Sequence, residues 1–415
     1  MRGTRTTGVA RAFRIGDGDG GGSGQGSVVL RYYCYMATST LGFLIPVWVV
    51  LLDEARGFSY TQIQLLDGAF FATLLLAELP TGYVGDRLGR RNALVLSSVG
   101  VGLAAAVFGL VESFPAFFAV YVLWGVAQTF RTGNDSAWLY DTLAGYGEVG
   151  TFTRVRGRGL AVLLGTNAAT AVAGGYLYGL DPRYPFLATG LVNLAGVPVL
   201  LSLPESPVAD GDRFTLGDAR RALSGLLAPG LRWFVAYAAL FYSLGWAADV
   251  FIQPIGLAAG LDAVDLGYLY ALLIGASAVA STYADAVARR VGVGRLLRLS
   301  PLLLGAALLA LPLLPVAAVG VFLLQRVVLN ATAPVAETYL NDRVASLGRA
   351  TVVSGFSMAL SAVSIPVKLA SGPLADATSP TLTVAAFGGA LLVGCALLVV
   401  VVRPMADADS PTPAD

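Results

Sequence analysis

The sequence predicts an all-α integral membrane protein, with twelve transmembrane helices in two pseudo-symmetric six-helix bundles. Three observations predict it. Hydrophobic residues make up 56% of the 415 and charged residues only 13%, about half the usual charged share of a soluble domain, and the mean hydropathy is +0.71. Twelve apolar segments follow one another, each near the length of about 20 residues that a bilayer demands. The arginines fall almost wholly on alternate loops.

The elements follow in order. Residues 1–28 are polar and Gly-rich, ending in Gly16-Asp17-Gly18-Asp19-Gly20 and its continuation. A stretch of this composition buries no core and is expected to be a disordered tail; it also lacks a signal peptide's apolar region and cleavage site. The apolar segments then run 31–53, 62–84, 92–112, 116–141, 157–180 and 185–203, and again 232–255, 264–286, 295–314, 317–340, 350–373 and 380–402. Two of them open on their own caps: Ser59-Tyr60-Thr61-Gln62 is a capping box, and Asp262-Ala263-Val264-Asp265 holds the corresponding place before the eighth segment. The widest polar gap separates bundles at 29–203 and 232–403. This linker, 204–231, contains Phe214 to Leu223, which reads as an amphipathic helix on the membrane surface. Residues 404–415 form a second polar tail.

The basic residues test this order. With the N-terminus inside, 22 fall on the cytoplasmic side, among them Arg87, Arg90, Arg91, Arg154, Arg156, Arg158, Arg289 and Arg290. Two, Arg56 and Arg183, fall outside, and Arg131, Arg326 and Lys368 lie within segments. This asymmetry is the positive-inside pattern, and a wrong segment count would scramble it. It predicts a multi-pass plasma-membrane protein with both termini cytoplasmic.

Composition also excludes chemistries. Without histidine there is no Ser-His hydrolase and no His-ligated metal or haem. The two cysteines, Cys34 and Cys395, sit in separate apolar segments and read as packing residues. The single lysine, Lys368, lies in Ile365-Pro366-Val367-Lys368-Leu369, which is not a phosphate-binding loop. A net charge of +1 gives no reason for nucleic-acid binding. Gly100 to Ala105 matches a dinucleotide fingerprint but sits inside an apolar helix with no strand before it, where small residues instead permit close helix packing. No enzyme, metal or cofactor is expected.

The halves echo each other. Asp86, Arg90 and Arg91 recur 199 residues later as Asp285, Arg289 and Arg290, and Tyr140 recurs as Tyr339, a pattern of duplication known among transporters. The first copy, Gly82-Tyr83-Val84-Gly85-Asp86-Arg87-Leu88-Gly89-Arg90-Arg91, closely resembles the loop 2–3 signature of the major facilitator superfamily, G-x-x-x-D-R-x-G-R-[RK]. Glu78-Leu79-Pro80-Thr81 before it and Leu203-Pro204-Glu205-Ser206-Pro207 after the sixth segment are similar to elements of that family. The second copy departs from the signature, with Ala288 where the first has Gly89. The resemblance implies a cytoplasmic gate in which Gly82, Asp86, Gly89, Arg90, Arg91 and Asp141 hold the halves together, with Asp285, Arg289 and Asp342 as a weaker counterpart. Gly89 would permit a tight turn, Asp86 would face a helix N-terminus, and Arg90 would reach Asp141.

Charges inside spans are costly unless paired or hydrated, so each is a functional candidate. They are Asp67, Glu78, Arg131, Asp135, Asp249, Arg326, Glu337 and Lys368. Gln128, Arg131 and Asp135 form one stripe, in which Arg131 and Asp135 at i, i+4 either neutralise each other or meet substrate. Arg326 lies roughly 14 Å into its helix, with Gln325 and Asn330 beside it. Tyr242, Trp246 and Asp249 form another stripe, in which Trp246 also reads as packing. The resemblance implies that the first, fourth, seventh and tenth spans line a central cavity where these stripes converge. Lys368 snorkels or pairs with Asp249.

The function expected is secondary transport of a small molecule by alternating access. Coupling to protons would use Glu78, Asp135 or Asp249, and the leading expectation is efflux of drug-like or metabolite solutes by antiport, from a monomer. The alternatives are uptake of an organic anion held by Arg131 and Arg326, and a non-transporting receptor or scaffold on the same fold.

Overall fold

The computed structural model describes residues 22–205, 231–313, 315–343 and 349–401. The proposed surface helix at 214–223 and most of both tails lie outside them. The described residues fold into helices joined by short turns, without strands.

In the first half these are α1 (Gly22–Thr38), the short α2 (Trp48–Val50), α3 (Tyr60–Leu88), α4 (Arg90–Leu110), α5 (Phe114–Thr129), α6 (Asn134–Gly145), α7 (Phe152–Leu180) and α8 (Tyr184–Leu201). In the second they are α9 (Arg232–Ala247), α10 (Ile252–Ala258), α11 (Ala263–Val291), α12 (Val293–Ala310), α13 (Ala318–Asn341), α14 (Arg349–Ala377) and α15 (Pro380–Val401). Among the described residues nine helices are long and apolar enough to cross a membrane. Two of the other predicted spans are broken into shorter helices: the span at 31–53 between α1 and α2, and the span at 116–141 between α5 and α6.

Both predicted caps are present. Ser59 Oγ accepts from Gln62 N and Gln62 Oε1 accepts from Ser59 N at 3.0 Å, and Asp262 and Asp265 make the same reciprocal pair at the head of α11. At the α3–α4 junction Gly89 takes φ +87°, a conformation that disfavours any side chain, and ends one helix while starting the next. In the second half Gly292, with φ +89°, does this between α11 and α12. The repeat therefore keeps its turn glycine, displaced from the place that Ala288 occupies.

The helix packing repeats as the sequence echo does. α4 lies on α8 and α12 on α15; α3 packs on α5 and α11 on α13; α1 packs on α7 and α9 on α14. The halves meet along two seams, α3 against α14 and α7 against α11. Cys34 is exposed and Cys395 buried, and neither is in a disulfide.

The two interrupted spans need partners for their freed backbone groups, because hydrocarbon supplies none. In the break after α1, Asn167 Oδ1 accepts from Thr40 Oγ1 at 2.8 Å and from Leu41 N at 3.0 Å, while Asn193 Nδ2 donates to Thr40 O at 2.8 Å. Gln253, fully buried and belonging to the other half, finishes the task. Its Oε1 accepts from Val49 N (2.9 Å) and Val50 N (3.2 Å), and its Nε2 donates to Ile45 O (2.8 Å).

Candidate functional site

A cavity of about 410 Å³ lies between the halves. Its wall combines Ile45, Trp48, Asp67 and Phe71 of the first half with Trp246, Asp249, Val250, Tyr270, Arg326 and Lys368 of the second. Four charged groups and four aromatic rings thus face one volume.

The charges are paired. Lys368 Nζ lies 2.5 Å from Asp67 Oδ2, and the ammonium sits 4.8 Å from the centre of the Phe71 ring. Arg326 lies 3.2 Å from Asp249 Oδ2, and Gln325 Nε2 donates to Asp249 Oδ1 at 2.7 Å and to Gly245 O at 2.8 Å. Each carboxylate meets one cation, so the cavity wall is neutral as a whole. Removing one partner of the buried Lys368–Asp67 pair, whose side chains are 4% and 13% exposed, leaves an uncompensated charge, at a cost of about 3–5 kcal/mol. Local structure aims Asp249 inward: it lies in a tight turn, 248–251, between α9 and α10. Two buried polar atoms at this site, Gln325 Oε1 and Arg326 Nε, have no protein hydrogen-bond partner.

Of the residues singled out from sequence, Trp246, Asp249 and Arg326 line this cavity, and Gln325 stands behind them. Tyr242 is buried, donates to Thr332 Oγ1 at 3.1 Å and packs its ring 5.7 Å from that of Trp246. Asn330 donates to Arg326 O (2.8 Å) and Ser277 Oγ (3.2 Å). Glu78 is an exposed position on α3, distant in sequence from the Asp67 turn.

The stripe Gln128, Arg131, Asp135 is split. Gly133, with φ +80°, interrupts the regular helix between Arg131 and Asp135, leaving a long backbone bond from Asp135 N to Arg131 O at 3.4 Å. Asp135 pairs instead with Arg156 of α7 at 2.7 Å, and Arg156 also donates to Tyr32 Oη at 3.1 Å. Arg131 lies over the ring of Tyr35, 5.8 Å from its centre, and approaches Ser39 O at 3.5 Å. Neither Arg131 nor Asp135 is among the residues lining the 410 Å³ cavity. Gln128 accepts the backbone N–H of Arg131 through its carbonyl at 3.0 Å. Lys368 pairs with Asp67 rather than with Asp249, because α14 runs along α3 at that level.

At the arginine-rich end, Arg90 forms an ion pair with Asp141. Arg91 N donates to Glu205 Oε1 at 3.0 Å, and its guanidinium lies 3.4 Å from Glu205 Oε2 and donates to Leu203 O at 3.2 Å. A side chain on Gly89 would meet that carboxylate, with an added Cβ 2.7 Å from Glu205 Oε1. These partners all belong to the first half, so the described bonds of the cluster tie α4 to α6 and to the end of α8, not one half to the other. Gly82 is exposed on α3, and the Asp86 side chain lies outside the described set. Arg289 pairs with Asp285 one turn earlier on its own helix, both exposed, while Asp342 is exposed beyond the end of α13. Asp67 is a candidate from sequence only as one of eight charges within the spans, and Gln253 is not singled out there. Their signal was a polar side chain within an apolar run.

A family model described as Major Facilitator Superfamily matches residues 32–366. Among curated relatives, an MFS-type transporter of Bacillus subtilis, YxaM, is 24% identical over 39% of this chain and 40% of its own length. The multidrug resistance protein MdtG of Escherichia fergusonii is 24% identical over 57% of this chain and 64% of its own. The matches thus span less than two thirds of either relative. Among solved structures, the nucleoside transporter NupG superposes with a TM-score of 0.77 at 12% identity, covering 90% of this chain and 98% of that one. A bacterial homologue of the human lysosomal transporter Spinster gives 0.73 at 16%, covering 94% and 98%. At these identities the superpositions speak to the fold alone.

Proposed function

This chain belongs to the Major Facilitator Superfamily, a family of multi-pass membrane transporters of small molecules and not of enzymes, and we propose that it exports a drug-like or metabolite solute in exchange for protons. The observation that carries this reading is the neutral, aromatic-walled cavity between the halves, with two carboxylates in its wall. Four rings offer faces to a flat or apolar solute, and cations are attracted to such faces. A carboxylate released from its cation partner gives a proton somewhere to ride. The names of two relatives, both multidrug resistance proteins, favour export. In this reading the protein acts as a monomer in the plasma membrane, its arginine-rich end and both termini face the cytoplasm, and the halves rock about the cavity.

The test is flux in liposomes of purified protein with an imposed pH gradient. Solute movement against a proton flux is expected, and its absence for every solute of a broad drug and metabolite panel would remove the reading. Uptake of an organic anion is the second reading, favoured by Lys368 and Arg326 in the cavity wall. Arg326→Leu separates them: it should abolish anion uptake, whereas movement of a cationic solute should persist.

A further inference from the structure

The two charge pairs of the cavity differ in a way that bears on coupling. Asp249, Gln325 and Arg326 all belong to the second half. Asp67 belongs to the first half and Lys368 to the second. A bound proton shifts a balance between two conformations only by the difference in its affinity for them. A carboxylate whose ion-pair partner travels with it keeps that partner in both conformations, so Asp249, and likewise Asp135 held by Arg156 within the first half, has less leverage on the movement of one half against the other than a carboxylate whose partner does not. Asp67 has that leverage, because its counter-charge rides on the opposite half.

We propose that Asp67 is the proton-binding group that links pH to the alternation of the halves, with Lys368 as its cross-half counter-charge. The proposal rests on the proton-coupled reading above and assigns its carrier. The pair sits on a continuous seam. On the same two helices, Gly68 packs against Leu369 and Gly372 against the backbone of Thr61. About two turns further toward the arginine-poor end, Asp376 of α14 accepts from Tyr60 N (2.8 Å), Thr61 N (3.0 Å) and Thr61 Oγ1 (2.6 Å) at the head of α3. With Asp67 ionised, the ion pair holds α3 to α14 beside the cavity. A proton taken from water on the open side removes the pair, leaves Lys368 over the Phe71 ring, and weakens the seam. Acid therefore disfavours the arrangement seen here, joined at the arginine-poor end, and favours parting of that end. The other titratable and charged groups that face Asp67 are Tyr121 from α5 and, across the cavity, Asp249 and Arg326. The side chains of Asp249 and Arg326 belong to one half, so their mutual pairing is common to both states.

The experiment places spin labels at Gly179→Cys and Ala259→Cys, exposed positions at the arginine-poor ends of the two halves. The background is Cys34→Ser; Cys395, only 1% exposed, stays. In the otherwise unaltered protein the ratio of parted to joined ends is expected to rise as the pH is lowered from about 8 to the ordinary carboxylate range at about 4. In Asp67→Asn that ratio should stay high, changing by less than about twofold over the same interval. Asp249→Asn should keep the pH response of the distance, whatever it does to solute binding. The exchange Asp67→Lys with Lys368→Asp should restore the response. If Asp67→Asn does not fold, Lys368→Met serves, with the same flat profile expected. A response that persists in Asp67→Asn or Lys368→Met, or that is lost in Asp249→Asn, overturns the assignment. Flux is measured on the same samples. Distances that follow pH without solute movement would remove the transport reading and support Asp67 as a proton switch. Proton-driven flux unaltered by Asp67→Asn would remove Asp67 and keep the transport reading.

Discussion

The two ends of the molecule are held by different kinds of bond. At the arginine-rich end the described ion pairs join helices of one half: Arg90 with Asp141, Arg91 with Glu205, Arg156 with Asp135, and Asp285 with Arg289 on a single helix. At the arginine-poor end Arg56 donates to Val111 O and Gly109 O within the first half, but other bonds cross between halves and use few charges. Gln253 and Asp376 of the second half tie off backbone ends of the first, and Tyr176 and Tyr268 meet hydroxyl to hydroxyl at 3.1 Å. Pairs inside a half make each bundle rigid at the end where charge density is greatest. Caps across the seam are directional and short-ranged, and water replaces them readily when the halves part, so such a closure can be made and unmade at low cost.

Substitutions that strike the crossing contacts should have the largest effect. Gly267→Val would drive a Cβ to 2.7 Å from Ala171 O and 3.2 Å from the Cα of Val172. Backbone cannot step aside as a side chain can, and overpacking of this kind costs about 1–3 kcal/mol or more. The expected outcome is parted arginine-poor ends by spin-label distance, together with a lowered melting temperature. Joined ends in this variant would show that the seam is looser than its geometry.

Gln253→Ala comes next. It leaves Val49 N, Val50 N and Ile45 O without their cross-half partner, and an unsatisfied buried group costs about 1–3 kcal/mol. Reagent access to a cysteine at Trp48 from the arginine-poor side should rise, and unchanged access would mean that water or Asn167 takes over. Asp376→Ala is weaker, because the groups it caps are exposed; loss of a cap costs about 1 kcal/mol, visible as a modest shift in the same distances. Smallest is Arg90→Ala. A partly exposed pair contributes about 0–1 kcal/mol, and because this pair lies within one half the distance between the arginine-poor ends should not move. A large shift there would erase the contrast between the ends.

How far the sequence carries one can be traced through particular residues. Helix positions, both caps and the placement of Arg90 beside Asp141 follow from periodicity, cap chemistry and a motif, all of which are local or shared with a family. Departures begin where a helix stops being continuous. The spacing of Arg131 and Asp135 reads as one face only while the helix runs on, and Gly133 turns it, sending Asp135 to Arg156. Likewise Pro46 and Gly42 in an apolar run did not announce a break wide enough to recruit Asn167, Asn193 and Gln253. The sequence leaves Lys368 to snorkel or to pair, and the choice between Asp249 and Asp67 depends on which helix lies alongside; hydropathy carries no record of neighbours. Glu205, noted as part of a family element, acquires its role only when α8 ends beside Gly89.

Lys368 is the single lysine among 27 basic residues, and it lies in the cavity wall, its side chain 4% exposed and bonded to Asp67. Apart from the α-amino group, the whole chain therefore offers amine chemistry one target. An acylating reagent or an isotope-labelled methyl group would report from inside the cavity without an engineered site. Its rate of modification, or the chemical shift of the methylated amine, would follow solute occupancy and the Asp67 bond together in the native protein, and would make this residue a resident reporter in a background that arginine keeps silent.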